Sequence, residues 1–364
     1  MTAAVHVLRW RSLGKPIQRS LRAGWPTSIR LISRKSPAID SLPDPQLISR
    51  FRADLRRIWP GGGRLGIAVS GGPDSLALLL LAHAALPGEV EAATVDHGLR
   101  PEGAEEARMV AQVCARIGVQ HAILTVQVEG GNLQDRARAA RYEALAAWLA
   151  DRGLAALATA HHTDDQAETM LMRLNRGSGL AGLAGVRGKG HVPGSELPLL
   201  RPLLGWRRAE LAGVVETAGL AAVQDPSNHD DRFDRVRMRK KLAKADWLDP
   251  DGIARSAALL EQAEDYVEST LDSCWQAQVT LDGASAAYCP GSSRFENVEI
   301  VSRIFDRLGK SARKSDIATL VERLEGGENA SLAGLLAQQQ SNPDGEGRNA
   351  RRWTFTPEPP RKVG

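Results

Sequence analysis

The sequence predicts an α/β protein with a doubly wound parallel sheet and a smaller, mainly helical C-terminal region. Between residues 64 and 160, four short apolar segments alternate with longer helical patterns. This alternation is typical of parallel sheets with right-handed crossovers. Beyond about Asp225 the strand patterns fade while helical patterns continue. The length of 364 residues suits one large domain with a smaller appendage.

The individual elements follow from the spacing of apolar residues and from the turn residues between them. An amphipathic helix is predicted over residues 46–58, and the run Pro60-Gly61-Gly62-Gly63 ends it. Strands are predicted over 65–69, 90–95, 122–126 and 154–160, with helices over 74–86, 101–117 and 133–150. In the C-terminal region, helices are predicted over 251–271, 298–308 and 314–324.

Four regions are expected along the chain. Residues 1–42 are expected to be a disordered basic leader, because residues 1–39 contain eight Lys or Arg and no acid. This composition resembles an organellar transit peptide, although an over-long gene start is the simpler interpretation. The sheet domain is expected over 43–225, a mainly helical appendage over 226–340, and a flexible tail over 341–364.

Composition excludes several classes of protein. Hydrophobic residues make up 43% of the chain and charged residues 25%, which excludes collagen-like, fully disordered and disulfide-scaffold sequences. No apolar run reaches the roughly 18 residues that a membrane span needs. The three cysteines, Cys114, Cys274 and Cys289, are far apart and form no Cys-x-x-Cys pair. The sequence therefore predicts a soluble protein of the reducing cytoplasm.

A glycine-containing loop joins the first predicted strand to the next helix, with the sequence Ser70-Gly71-Gly72-Pro73-Asp74-Ser75. The two glycines allow backbone amides to turn inwards. The helix start adds unpaired N–H groups and a positive dipole end, so the loop is suited to an anion. A tight turn with Ser or Asp as the helix N-cap is the alternative interpretation. Because Asp74 would repel phosphates, a magnesium ion is expected beside it.

Polar residues also follow the second and fourth predicted strands. Residues 96–100 follow the second strand. They are candidates for the site at this edge of the sheet, but a polar turn before a helix would show the same pattern. After the fourth strand, Thr163 and Gln166 are expected to form a capping box, with Asp164 in the first helical turn. Capping does not require Glu168, which shares a helix face with Asp165. This carboxylate pair suits a metal, a general base or a cationic substrate, whereas zinc is disfavoured because no thiolate lies nearby.

Together these motifs resemble those of the tRNA(Ile)-lysidine synthase family of PP-loop ATPases. The loop at 70–75 is similar to the PP-loop, whose enzymes split ATP between the α and β phosphates. The resemblance continues, in the order of the family, through residues 96–100, 138–142, 162–169, 176–185, 201–204, 225–228 and 235–239. An ordered set that spans roughly residues 60–240 is far more specific than any single motif.

The resemblance implies an activity and a set of site residues. The family ligates free lysine to carbon 2 of the cytidine at the first position of the CAU anticodon of tRNA(Ile). The reaction passes through an adenylated cytidine and releases AMP and pyrophosphate, and the modified tRNA decodes AUA as isoleucine. The implied ATP-binding residues are Ser70, Gly71, Gly72, Pro73, Asp74 and Ser75, with magnesium at Asp74. The implied catalytic residues are Asp74, Arg141, Asp165 and Glu168. Contacts to substrate or tRNA are expected from His97, His162, Arg176, Arg201, Arg235, Arg237, Arg239, Lys240 and Lys241.

A basic tract supports an RNA partner. Residues 235–244 carry six cations and no acid, a charge pattern that can follow a phosphate backbone. A solvated helix face would show the same charges. The glycine-rich segment 176–185 is expected either to contact RNA or to act as a mobile linker. One residue departs from the family, because Val236 follows Arg235 where the family usually has Asn.

Two other functions are compatible with parts of this pattern. The first is another PP-loop tRNA-modifying enzyme, such as a thiolase, although a cysteine-dependent thiolase needs paired thiols. The second is a non-catalytic protein that binds ATP and RNA. Ammonia-using synthetases of the PP-loop class lack the basic tract.

Overall fold

The structure is a computed structural model that describes residues 42–98, 101–127, 133–223, 232, 234–341 and 351–358. The predicted basic leader lies outside the described residues except for Leu42. Leu99, Arg100 and the predicted motif at 225–228 lie outside them as well.

Helices and strands alternate along the N-terminal half of the chain, as the sequence predicts. The helices are α1 (Pro45–Ile58), α2 (Pro73–Ala85), α3 (Pro101–Ile117), α4 (Leu133–Arg152), α5 (Thr163–Asn175), α6 (Leu180–Leu183), α7 (Arg208–Thr217), α8 (Asp234–Leu242), α9 (Pro250–Gln278), α10 (Arg294–Arg307) and α11 (Lys314–Glu325). The strands are β1 (Leu65–Ala68), β2 (Val90–Asp96), β3 (Gln120–Thr125), β4 (Ala156–Ala158), β5 (Lys189–His191), β6 (Pro198–Leu200), β7 (Val279–Asp282), β8 (Ser285–Tyr288), β9 (Ala330–Leu332), β10 (Leu335–Ser341) and β11 (Arg351–Pro357). Within the described ranges, no helix is long and apolar enough to cross a membrane.

The first sheet contains strands β1 to β6 in the order β3-β2-β1-β4-β6-β5. Strand β1 pairs in parallel with both β2 and β4, and the β2–β3 and β4–β6 pairs are also parallel. The edge strand β5 is antiparallel to β6, and the sequence predicts neither of these two strands. Because the strand order reverses at β1, the loops that follow β1 and β4 meet at the carboxyl edge, where ligands bind in such folds.

Apolar side chains cover both faces of this sheet, which confirms the doubly wound α/β fold. On one face, Phe51 of α1, Leu79 of α2 and Leu211 of α7 are fully buried in one cluster. On the other face, Leu145 and Leu149 of α4 belong to a second cluster. Helix α2 is apolar on all sides because it packs against both α1 and α7. Its burial holds the start of α2 at the carboxyl edge of the sheet.

The C-terminal region is richer in strands than the sequence predicts. Helical residues outnumber strand residues there, as expected, but five strands form an antiparallel sheet in the order β7-β8-β11-β10-β9. Strand β11 is central, and its Trp353 and Phe355 are 1% and 0% exposed. The prediction of a flexible tail over 341–364 is therefore wrong at Arg351–Pro357. This segment is ordered by pairing with the preceding strand β10 and with β8, which is distant along the sequence.

Candidate active site

The loop after β1 forms a cradle at the start of α2. The Ser70 N–H donates to Ser75 Oγ at 3.2 Å, and the Ser75 hydroxyl donates to the Gly72 carbonyl at 2.9 Å. Gly71 has a φ of +87°, and a Cβ there would lie 3.2 Å from Val223 Cγ2, so this position requires glycine. The alternative interpretation, in which Ser or Asp caps α2, is wrong, because Gly72 is the N-cap and no side chain caps the helix among the described residues. The first N–H groups of α2 are thus available to an anion.

Asp74 lies in the first turn of α2 and is suited to a metal bound with phosphate. Its Oδ1 is buried and has no hydrogen-bond partner among the described residues, while Oδ2 lies 3.4 Å from His162 Nε2. Magnesium in nucleotide sites is commonly held by one or two carboxylates together with substrate phosphates. The free carboxylate oxygen fits that arrangement. No group of three His, Cys, Asp or Glu in the described ranges could hold a metal without such phosphates.

His162 connects the cradle to the acids that follow β4. Its imidazole is buried, and its Nε2 lies 3.4 Å from Asp74 Oδ2 and 3.5 Å from Asp165 Oδ2. Its Nδ1 lies 3.5 Å from Asp164 Oδ2, an ion-pair distance that is long for a hydrogen bond. Burial alone lowers the pKa of His162, but Asp164, Asp74 and Asp165 outweigh it and raise that pKa to about 9. His162 is therefore an imidazolium at neutral pH.

The pH dependence of unfolding provides a test of this charged histidine. The pKa of His162 is about 9 in the folded protein and close to 6.5 in the unfolded chain. The stabilisation is therefore complete below pH 6.5 and is lost as the pH rises through 9. We expect the wild type to lose up to about 3 kcal/mol of unfolding free energy in this window.

The matched measurement uses His162→Gln, which cannot titrate at this position. The difference in unfolding free energy between the two proteins, followed from about pH 6 to about pH 10 in urea, cancels the contribution of other titrating groups. We expect this difference to shrink as the pH rises. A difference that stays constant would contradict the raised pKa.

The start of α5 differs by one residue from the predicted capping box. His162 is the N-cap, and its N–H donates to Asp165 Oδ2 at 3.2 Å. Thr163 and Gln166 instead bind neighbouring segments: the Thr163 hydroxyl donates to the Leu204 carbonyl at 2.9 Å, and the Gln166 side chain exchanges two hydrogen bonds with the backbone of Val186. These contacts anchor the first turn of α5 and thereby orient its acids.

Glu168 is the centre of an ion-pair cluster. Its carboxylate is 1% exposed and accepts from Arg235 Nε at 3.0 Å and Arg239 Nε at 2.8 Å. Arg208 Nη2 lies 3.4 Å from the same carboxylate. Arg235 also donates from Nη2 to Asp165 Oδ1 at 2.9 Å. The two acids thus share one face of α5, as predicted, and a single guanidinium bridges them.

Arg141 of α4 reaches the loop after β2. Its Nη2 lies 3.2 Å from His97 Nε2. Arg141 is exposed to solvent on one side, and desolvation by the surrounding protein lowers the pKa of its guanidinium. Burial and then the charge of Arg141 lower the pKa of His97. His97 is therefore neutral at neutral pH and can accept a proton or a hydrogen bond.

The sequence and fold can be compared with those of known proteins. A PP-loop domain family matches residues 46–246, more than half of the chain. A tRNA(Ile)-lysidine synthase of Novosphingobium aromaticivorans is 47% identical over 298 residues, which cover 80% of this chain and 91% of that protein. A tRNA(Ile)-lysidine synthase of Zymomonas mobilis is 43% identical over 310 residues, covering 83% and 91%. The chain belongs to the tRNA(Ile)-lysidine synthase family. Its PP-loop domain supports the use of ATP.

A solved structure with a similar arrangement is that of a U34-tRNA thiolase from Methanococcus maripaludis with its 4Fe-4S cluster. It shares 17% sequence identity with this chain. The match covers 60% of this chain and 78% of the thiolase, with a TM-score of 0.49.

In this lysidine synthase family member, the basic helix α8 directs its charges to two sides. Arg235 and Arg239 contact the acids of α5. Arg237 instead pairs with Asp234, which also accepts from Arg176 Nη2 at 3.1 Å. Lys240 and Lys241 are exposed to solvent. The predicted one-sided stripe is therefore smaller than the sequence suggests.

Val236, where the lysidine synthase family usually has Asn, has a packing role. Its side chain is 7% exposed, and α8 packs against α5. An apolar side chain is therefore suited to this buried position.

Hydrogen bonds between arginine side chains and backbone carbonyls hold Arg201 and the glycine-rich segment. Arg201 is half-buried, burial lowers its pKa, and its Nη1 donates to the Arg187 carbonyl at 2.7 Å. From α5, Arg173 Nη1 donates to two carbonyls of the glycine-rich segment, those of Gly182 at 2.7 Å and Gly185 at 2.9 Å. These two bonds hold the segment against α5, which disfavours its interpretation as a mobile linker.

Two site residues were missed by the sequence analysis, namely Arg207 and Arg208 at the start of α7. The Arg208 N–H donates to Asp164 Oδ2 at 2.9 Å, and Arg207 Nη2 donates to Asp164 Oδ1 at 3.1 Å. Asp164 therefore fastens α7 to α5 and is not merely a helix-starting acid. Adjacent arginines before Glu210, the N3 residue of α7, were a signal in the sequence, but nothing there indicated their partner.

Proposed function

We propose that this protein ligates lysine to carbon 2 of the cytidine at the first anticodon position of tRNA(Ile), using ATP. The cytidine oxygen would first be adenylated, with release of pyrophosphate, and lysine would then displace AMP. The observation that carries the proposal is the link through His162 between the cradle residue Asp74 and Asp165 on α5. The link supports the proposal because it joins the loop at 70–75 to the first turn of α5 in a chain of the lysidine synthase family.

The ATP end of the proposed site is the cradle at 70–75. The N–H groups at the start of α2 would bind phosphate, and Asp74 would hold magnesium through its free oxygen. When bound, magnesium would neutralise charge on the departing pyrophosphate. His97 directly follows β2 and therefore lies at the same carboxyl edge, and Arg141 of α4 contacts it. Both residues are proposed to contact substrate.

The lysine end of the proposed site is the acid pair of α5. A free lysine amine has a pKa of about 10.4, so it arrives protonated and has to lose a proton before attack. Asp165 and Glu168 are suited to an ammonium ion, but the Arg235 guanidinium now bridges them. Binding of the lysine ammonium would require exchange with this guanidinium. Neutral His97 is then a suitable acceptor for the proton.

The activity can be tested with ATP, L-lysine and a transcript of tRNA(Ile) that carries a CAU anticodon. We expect pyrophosphate release that depends on the tRNA, and lysidine in the digested RNA only when lysine is added. Omission of lysine should leave adenylated tRNA. ATP binding without any pyrophosphate release would overturn the proposal in favour of a non-catalytic protein.

The tRNA is proposed to lie along the exposed cations of α8. We expect the affinity for tRNA to fall steeply as the salt concentration rises. Lys240→Ala/Lys241→Ala should reduce the slope of the logarithm of the association constant against the logarithm of the salt concentration by about 1.5, because each phosphate contact contributes roughly 0.7 to 0.9. The matched control is Arg307→Ala/Arg313→Ala, which removes two exposed cations from the C-terminal region. Fluorescence anisotropy at several salt concentrations measures both slopes. An unchanged slope in the lysine variant would refute the RNA stripe.

A cysteine-dependent thiolase remains the nearest alternative, and the positions of the cysteines disfavour it. Cys114 is buried in the core of the first sheet, where burial raises the pKa of its thiol to about 12. Cys274 packs against the core of the C-terminal region, and Cys289 directly follows β8 of that region. None of the three forms a disulfide, and none lies at the carboxyl edge beside the cradle.

A further inference from the structure

Trp247 is an unusually exposed aromatic residue in the connection between α8 and α9. Its exposed fraction is 80%, whereas Trp59, Trp148, Trp206 and Trp353 are at most 9% exposed. A tryptophan that stays in water forgoes a large hydrophobic stabilisation. A single exposed apolar residue needs no explanation by itself, so its surroundings decide its significance.

The connection that carries Trp247 is well ordered. Backbone hydrogen bonds run from the N–H of Lys244 to Lys241 O at 3.1 Å and from the N–H of Leu248 to Ala245 O at 3.1 Å. The next residue, Asp249, caps α9 by accepting from the N–H groups of Asp251 and Gly252. Trp247 is thus held on a short turn between two helices, and little ordering remains to be lost when a ligand binds it.

The charges near Trp247 favour a polyanion. The preceding residues of α8 and its end include the exposed cations Lys240, Lys241 and Lys244. Asp246 is exposed next to the indole, but the negative charge of Asp249 is directed to the start of α9 and to Arg255. An aromatic face that adjoins a run of cations is typical of surfaces that bind single-stranded nucleic acid.

Two ion pairs connect the start of α9, which follows Trp247, to the first turn of α5. Asp251, four residues further along the chain, accepts from Arg207 Nη1 at 3.0 Å. Arg207 in turn donates to Asp164, the neighbour of Asp165. Four residues span at most about 14 Å. Trp247 therefore lies in the connection between two helices, α8 and α9, that both pack against α5.

We infer that the Trp247 indole is a stacking platform for an unpaired base of the RNA substrate, next to the base that is modified. This inference rests on the proposed function, because it names a contact that orients the anticodon loop. The loop of a tRNA offers unstacked bases, and stacking on an aromatic ring is the main way in which proteins bind them. Trp247 acts through the position of the RNA and is a positioning residue.

The test measures binding of a CAU anticodon stem-loop RNA to the full chain by fluorescence anisotropy. Trp247→Ala is expected to weaken binding about tenfold, in line with the loss of one base stack. Trp247→Phe should stay within about threefold of the wild type because a phenyl ring also stacks, whereas Trp247→Leu should behave like the alanine variant. The matched control is Tyr266→Ala, which removes an aromatic side chain that is 75% exposed, further along α9.

A second measurement separates stacking from a structural effect. The measurement uses a set of stem-loops, each of which lacks the base at one loop position. For one of these RNAs, loss of the base should weaken binding to the wild type but should not weaken binding to Trp247→Ala any further. With full-length tRNA, Trp247→Ala should raise KM for tRNA and leave kcat unchanged. The inference would be overturned if Trp247→Ala bound the RNA as tightly as the wild type, or if Tyr266→Ala weakened binding as much as Trp247→Ala. The proposed function would be unaffected by either result, provided that the wild type forms lysidine. A wild type that neither binds nor modifies the RNA would overturn the proposed function as well.

Discussion

Glu168→Gln is expected to lower the free energy of unfolding by about 2 to 3 kcal/mol and to abolish lysidine formation. The carboxylate of Glu168 is 1% exposed and neutralises Arg208, Arg235 and Arg239. A neutral amide would leave these three guanidinium groups close together without their shared anion, and breaking a buried ion pair costs about 3 to 5 kcal/mol. The lower range is expected here because the arginine side chains are 31–43% exposed and stay partly hydrated.

The control for this substitution is Glu322→Gln. Glu322 pairs with Arg294 at 2.8 Å, but the two side chains are 65% and 53% exposed. The loss of such a surface pair should cost less than about 1 kcal/mol. Urea unfolding measures both variants, and lysidine is quantified in digested tRNA by mass spectrometry. A Glu168→Gln protein as stable and as active as the Glu322→Gln protein would contradict the role of Glu168 as the centre of the site.

Asp74→Asn is expected to reduce tRNA-dependent pyrophosphate release by about a hundredfold or more. The substitution removes the free carboxylate oxygen that we assign to magnesium, and metal stabilisation of transferring phosphate supplies several kcal/mol. Titration with magnesium chloride should show that the variant needs a higher concentration for half its maximal rate.

The control for Asp74 is Asp272→Asn, which makes the same chemical change in a surface pair. Asp272 Oδ1 lies 2.7 Å from Arg303 Nη1, and the Asp272 side chain is 67% exposed. This variant should release pyrophosphate at the rate of the wild type. If Asp74→Asn also kept its rate to within a factor of a few and its magnesium dependence, the assignment of Asp74 to metal and phosphate would be wrong.

Local sequence patterns were sufficient for the large domain. The apolar segments and helical stripes predicted β1 to β4 and α1 to α4 to within a few residues, because burial of one face requires a regular period. The same patterns failed where pairing partners are distant. Strand β11 is held by β8, which ends 63 residues before it begins, and its flanking Arg and Pro residues resemble a tail.

The acids of the site illustrate the same division. Glu168 and Asp165 could be predicted to share a helix face from their spacing alone. Their partners could not be predicted, because Arg208 and Arg239 lie 40 and 71 residues further along the chain. Arg235 and Arg239 were expected to face RNA, and this contact stays a prediction, but their guanidinium groups bind the α5 acids in the structure.

The sequence by itself determined the class of fold, the loop that is suited to phosphate and the family to which the chain is similar, because these depend on residues close together in the chain. Only the tertiary structure decided which side chains meet. The reversal of strand order at β1 brings the loop after β4 beside the cradle, so that buried His162 touches both Asp74 and Asp165. The packing of α7 and α8 on α5 then places three arginines around one carboxylate. Charge can be read from composition, but an ion pair needs two groups within about 4 Å, and only the folded chain sets that distance.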